Sequence, residues 1–137
     1  MDKSVPTIMN TSSDLQVRWL GSVPYGEALA IQESMFRHGT DNRLLLLEHP
    51  HVFTYGPSAD LEKNLKCDPA AVGADFVSVN RGGDITYHGP GQLVGYPLLT
   101  LKGKHGADTP PDSPAYVHAV EQVVIDALRE VGLVTAD

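Results

Sequence analysis

An α+β fold is predicted by three features of this chain. Two segments carry apolar residues at helical spacing, several short apolar runs have the length of strands, and no segment repeats another. At 137 residues with 42% hydrophobic content, the length fits one domain with a core of its own.

The elements follow in order. Residues 1–14 are polar, lack the apolar core of a signal peptide and are expected to form a loose tail. Leu15–Leu20 alternates as a strand does. Tyr25, Ala28, Leu29, Gln32, Met35 and Phe36 form a helical stripe, stopped by His38-Gly39. Arg43–Glu48 reads as a buried strand, and Val52–Tyr55 as another beyond the His49-Pro50 corner. Ser58–Asp75 is polar and rich in turn residues, which suits a surface excursion. Phe76–Val79, Asp84–His88 and Leu93–Leu101 supply three more strands, with Pro97 favouring a bend or a sheet edge. Ser113-Pro114 reads as a cap followed by proline at the first helical position. Tyr116, Val117, Val120, Val124, Ala127, Leu128 and Val131 then form one apolar stripe, and Gly132 is a fitting stop. Leu133-Val134-Thr135 begins a further strand, so the chain reads as truncated at its C-terminus.

Charge and composition narrow the function. Ten Lys and Arg stand against 17 Asp and Glu, a formal charge of −7, which argues against nucleic acid as a general partner. One cysteine excludes an internal disulfide framework. The longest leucine run, Leu44–Leu47, is far too short to span a membrane, and a cytoplasmic protein is expected. The chain has six histidines, but none are spaced as a zinc helix motif, so no metal and no cofactor are expected.

The segment Arg81–Gln92, Arg-Gly-Gly-Asp-Ile-Thr-Tyr-His-Gly-Pro-Gly-Gln, is the most informative in the chain. It places four glycines, a proline, an arginine and a histidine between two apolar runs. Glycine permits positive φ or close backbone approach at an entropic cost, so this composition fits either a glycine-rich hairpin or a binding wall. If Asp84–His88 is extended, Ile85 and Tyr87 share one face, suited to the core. Asp84, Thr86 and His88 share the other, presenting a carboxylate, a hydroxyl and an imidazole. Arg81 could also pair with Asp84 or Asp75 at the surface. His49, before Pro50, either satisfies a turn backbone or lines the site.

Arg81-Gly82-Gly83 followed by Thr86-Tyr87-His88-Gly89-Pro90-Gly91-Gln92 resembles the signature of the lipoyl(octanoyl)transferases, the lipoate-protein ligase B family. Leu44–Pro50 with Val52, Thr54 and Gly56 resembles that family's upstream motif, and Leu93–Leu99 continues the match. The resemblance runs from about Leu15 to the last residue. It implies the biotin/lipoate-protein-ligase-like catalytic fold, a mixed sheet with flanking helices, with 15–137 forming the N-terminal part of one catalytic domain. It also implies a cysteine acyltransferase that takes an octanoyl group from octanoyl-acyl carrier protein and passes it to a lysine of lipoyl-domain proteins. Arg81, Gly82, Gly83, Asp84, Ile85, Thr86, Tyr87 and His88 would then form a wall of the acyl pocket, with His88 touching the thioester.

This sequence departs from the family pattern in one respect. The family's catalytic lysine and cysteine lie downstream of the matched region, beyond Asp137. Cys67 lies upstream of the glycine-rich motif and is expected to be inert, and Lys102 and Lys104 to be solvated. No catalytic residue is therefore assigned within this chain, and the chain alone is expected to be inactive. Acyl carrier proteins are acidic, so docking one would require a locally basic surface, for which Arg18, Arg43, Arg81 and Lys102 are candidates. Two other readings stand beside this one. One is an ATP-dependent lipoate or biotin ligase, whose longer glycine run and paired arginines are absent here. The other is a non-enzymatic module that holds acyl groups or a partner.

Overall fold

The computed structural model describes residues 14–39, 41–101 and 108–133. Most of the expected tail, Lys102, Lys104 and the run beyond Leu133 lie outside the described residues. The chain divides into two compact units, the first reaching Leu99 and the second starting at Thr100.

Among the described residues, the first unit contains six strands and two helices. They are β1 (Gln16–Ser22), α1 (Tyr25–His38), β2 (Arg43–Glu48), β3 (Val52–Tyr55), α2 (Leu61–Asn64), β4 (Asp75–Ser78), β5 (Thr86–His88) and β6 (Val94–Leu98). One short 3-10 turn, Ala70–Val72, precedes β4. The strands form two mixed three-stranded sheets, ordered β1-β2-β6 and β4-β3-β5. In each, the middle strand has one parallel and one antiparallel neighbour: β2 runs parallel to β1 and antiparallel to β6, and β3 parallel to β4 and antiparallel to β5. The α+β expectation holds, with the strands split between two sheets.

Alternation explains which leucines form the core. In β2, Leu45 and Leu47 are 1% and 0% exposed, whereas Leu44 and Leu46 on the opposite face are half-buried. Leu47 packs with Val23 and with Ala28 of α1, and Leu20, Val94 and Tyr96 close around them. Pro24 opens α1 without a side-chain cap, and Glu27 supplies negative charge to the first turn while Arg37 and His38 supply positive charge to the last. Pro97 lies on β6, an edge strand among the described residues, as expected of proline.

The chain passes between the sheets twice. His49, Pro50 and His51 carry it from the Glu48 end of β2 to β3, and Gly89 to Leu93 carry it back from β5 to β6. Leu47 is registered with Val94, and Val52 with His88, so the two crossings run side by side. The Glu48 carboxylate accepts from the Gly91 N–H at 3.0 Å and ties them together.

Two expectations about faces and caps are corrected. Tyr87 does not enter the core. It is 43% exposed and stands opposite Phe53 on an aromatic face shared with Tyr55 and Phe76. The polar residues Thr86 and His88 instead share the face of Val52 and Thr54, each 1% exposed, because hydrogen bonds satisfy that polar face.

The second unit contains α3 (Ser113–Glu130). Its N-cap is Asp112 rather than Ser113, since the Asp112 carboxylate accepts from the Ala115 N–H at 3.1 Å and Pro114 moves to the second helical position. Gly132 does stop the helix: at φ 83° its N–H bonds to the Arg129 carbonyl, while the Leu133 N–H bonds to that of Leu128. Leu133 thus completes a Schellman cap.

Candidate functional site

The two crossings bring two of the sequence-predicted histidines together. His49 is completely buried, and its ring lies 5.7 Å from that of His88, with Tyr25 at 5.3 Å and Tyr96 at 5.9 Å. His49 Nδ1 lies 2.7 Å from the Val23 carbonyl oxygen, which can only accept, so Nδ1 carries the hydrogen. In the neutral ring, Nε2 is then an acceptor for the Tyr96 hydroxyl at 2.8 Å. Burial, which disfavours the charged form, holds the His49 pKa below the ordinary 6.5 despite the Val23 bond, and nearby His88 adds to the depression. Burial, with Tyr25 nearby, also pushes Tyr96 up to about 12, so its hydroxyl keeps its proton. His49 therefore satisfies a backbone carbonyl and faces His88 at once.

Arg81 organises the glycine-rich loop. Its Nη1 donates to the carbonyls of Gly82 (3.0 Å) and Asp84 (3.1 Å). Its Nη2 donates to the Thr54 carbonyl at 3.1 Å and to the hydroxyls of Thr54 and Thr86, both at 2.8 Å. The anticipated surface ion pair with Asp84 or Asp75 gives way to this set. Every one of these acceptors is neutral, so none of them cancels the guanidinium charge. The Asp84 carboxylate instead accepts from the Ile85 N–H at 2.8 Å and from the Asn64 side chain of α2. Gly56 lies under the loop, where a Cβ would meet the Arg81 carbonyl oxygen at 2.2 Å, and Gly83 takes φ 90°.

The segment from Arg81 to His88 is therefore one loop and strand, held from β3 by Thr54, with Gly56 packed beneath it. Tyr87 turns away from it: its hydroxyl meets His51 Nδ1 at 2.5 Å on the outer face. Ile85 and His88 are half-buried, and Gly82, Gly83, Asp84 and Thr86 are exposed. Of the cationic candidates, Arg18 and Arg43 share a face of the first sheet, apart from Arg81. Cys67 is a free, exposed thiol. Sequence reasoning gave no roles to Glu48, Tyr96, Tyr25 or Gln92. Only their position beside the two crossings reveals them, although Glu48, Tyr96 and Gln92 lie within the matched motifs.

The family model of the lipoyl protein ligase A/B catalytic domain matches residues 24–137, a range that includes His49, His88 and the whole of Arg81–Gln92. The chain belongs to that family. It is 48% identical over 123 residues to an octanoyltransferase of Solibacter usitatus, covering 85% of this chain and 54% of that protein. An octanoyltransferase of Syntrophotalea carbinolica is 46% identical over 123 residues, covering 87% of this chain and 54% of the relative. The chain thus spans about half the length of the curated relatives it matches. A bi-partite lipoate protein ligase of Thermoplasma acidophilum superposes with a TM-score of 0.66 at 19% identity, over 90% of this chain and 49% of that one, a likeness of fold. The resemblance carried by Arg81–Gln92 and Leu44–Gly56 is borne out. No described helix is long and apolar enough to cross a membrane.

Proposed function

We propose that the chain forms one wall of the acyl site of an octanoyltransferase of lipoate biosynthesis. The donor is octanoyl-acyl carrier protein, the acceptor a lysine of a lipoyl domain, and the intermediate a cysteine thioester. The observation that carries this reading is the 48% identity to an octanoyltransferase across a stretch that includes the whole histidine and arginine constellation.

The geometry suits the chemistry asked of it. Acyl transfer develops negative charge on the thioester oxygen, and such charge is stabilised by preorganised donors and nearby cations. Arg81, surrounded by neutral oxygens, contributes positive potential from a fixed position. The exposed loop at Gly82-Gly83 lets substrate approach the backbone, and His88 supplies a polar contact at the thioester. The nucleophilic cysteine and its lysine are not assigned among these 137 residues. Cys67 is not given that role, because it lies upstream of the glycine-rich motif, whereas the family's nucleophile lies downstream of it.

The test supplies the whole protein with octanoyl-acyl carrier protein and a lipoyl domain and follows both by intact mass spectrometry. Octanoylated enzyme followed by octanoylated lipoyl domain is the expected sequence. Pyrophosphate release from ATP and free octanoic acid, without transfer from the carrier protein, would establish a ligase instead. Tight, reversible binding of the octanoyl carrier protein without transfer would establish a non-enzymatic module.

A further inference from the structure

Gly89-Pro90-Gly91-Gln92 is a tight turn with a defined purpose for its last side chain. The Gln92 N–H donates to the Gly89 carbonyl at 3.1 Å, Pro90 occupies the second position, and Gly91 takes φ 84° at the third, the pattern of a type II turn. The Glu48 carboxylate fixes the turn through the Gly91 N–H. The turn brings the Gln92 side chain back over β5, where its Oε1 lies 2.7 Å from His88 Nδ1.

We infer that Gln92 is a positioning residue that selects the tautomer of His88, leaving Nε2 as the lone-pair nitrogen of the site. An amide oxygen only accepts, so Nδ1 must carry the hydrogen, and a neutral ring then has its lone pair on Nε2. His49 reaches the same tautomer by a different bond, through the Val23 carbonyl, but its Nε2 is already occupied by the Tyr96 hydroxyl. Of the two facing imidazoles, His88 thus supplies the nitrogen that can accept a hydrogen bond from a substrate or nucleophile group. A histidine base oriented by a third group is a recurring device for acyl transfer, and here a neutral amide takes the orienting role. What Nε2 serves rests on the acyl-transfer reading; the tautomer does not.

The test is 15N NMR of the 137-residue chain labelled at histidine, recorded at about pH 8.5, where imidazoles are neutral. His88 signals are assigned by their loss in His88→Asn. The expected wild-type pattern is a protonated-type Nδ1 and a lone-pair-type Nε2 for both His49 and His88. Gln92→Leu should abolish the preference at His88 and leave it at His49, whereas Gln92→Glu, which keeps an accepting oxygen, should retain it at both. A wild-type His88 protonated at Nε2 overturns the inference without any variant, as does an unchanged His88 pattern in Gln92→Leu. If Gln92→Leu also disturbs the His49 signals, the fold has moved, and the decision rests on the wild-type and Gln92→Glu spectra. A confirmed tautomer, where the whole protein transfers no octanoyl group, would sink the proposed function and leave this inference standing.

Discussion

Arg81 makes five hydrogen bonds to neutral oxygens, and this single residue shows how little of a site a motif reveals. In sequence it reads as part of a binding wall, as half of a surface ion pair or as part of a basic docking surface. In the structure it spans β3, β5 and the loop that precedes β5, a task that requires a planar, forked donor. Lysine has the charge without the fork. Arg81→Lys should therefore cost about 2 kcal/mol of stability, read as a lower urea midpoint, with faster amide exchange at residues 82–86. An unchanged midpoint and unchanged exchange would show that the clamp carries no load. Thr54 offers a sharper probe because it is buried. Thr54→Val removes a buried acceptor at the cost of about 1–3 kcal/mol, while Thr54→Ser keeps the hydroxyl and should stay closer to wild type in the same urea titration.

At the scale of elements, β2 is the strand on which the first sheet and the site both depend. Its four consecutive leucines announce burial but conceal which face is inner, because periodicity cannot be seen in a run of one residue type. Packing decides it: Leu45 and Leu47 are buried, Leu47 against Ala28 of α1 and Val94 and Tyr96 of β6, and Leu44 and Leu46 lie on the other face. Leu47→Ala should cost about 2–5 kcal/mol, and Leu46→Ala clearly less, in parallel denaturation curves; equal losses would contradict the assigned faces. Gly56 offers a similar contrast. In sequence it is one glycine among 13, yet a methyl group there meets the Arg81 main chain. Gly56→Ala should destabilise by about 1–3 kcal/mol and displace Arg81–Gly83, seen as chemical-shift changes concentrated in that loop. The strand β5 is also shorter than the Asp84–His88 that alternation predicts. Arg81 bonds the carbonyls of Gly82 and Asp84, turning 81–85 into a bound loop and leaving only Thr86–His88 to pair with β3.

For the molecule as a whole, the buried imidazole couples stability to pH. Burial lowers the folded pKa of His49 below 6.5, so between the two values the unfolded state binds the extra proton. The His49 contribution is therefore complete above pH 6.5, falls as pH drops below 6.5, and levels off once the folded-state value is passed. Urea unfolding from pH 8 to 5 should show this loss, and His49→Asn should flatten it while lowering stability at neutral pH by leaving the Tyr96 hydroxyl without its acceptor. A wild-type stability independent of pH across that range would refute the buried neutral assignment.

The division between sequence and structure follows from range. Local information was legible: the helical stripe of α1, the limits of β2 and β3, the stop at Gly132, the edge role of Pro97, and the motif that identifies the family all follow from neighbours within a few positions. Short-range competition misled where two caps or two faces were both chemically sound, as with Ser113 against Asp112 and Tyr87 against Thr86 and His88. The tertiary structure alone decided that two chain crossings lie side by side, joining Glu48 to Gly91 and His49 to His88 across 43 and 39 positions of sequence. Side-chain periodicity encodes which face of an element is apolar, not which distant element will meet it. That choice is made by packing, and the site was built where packing brought the two crossings together.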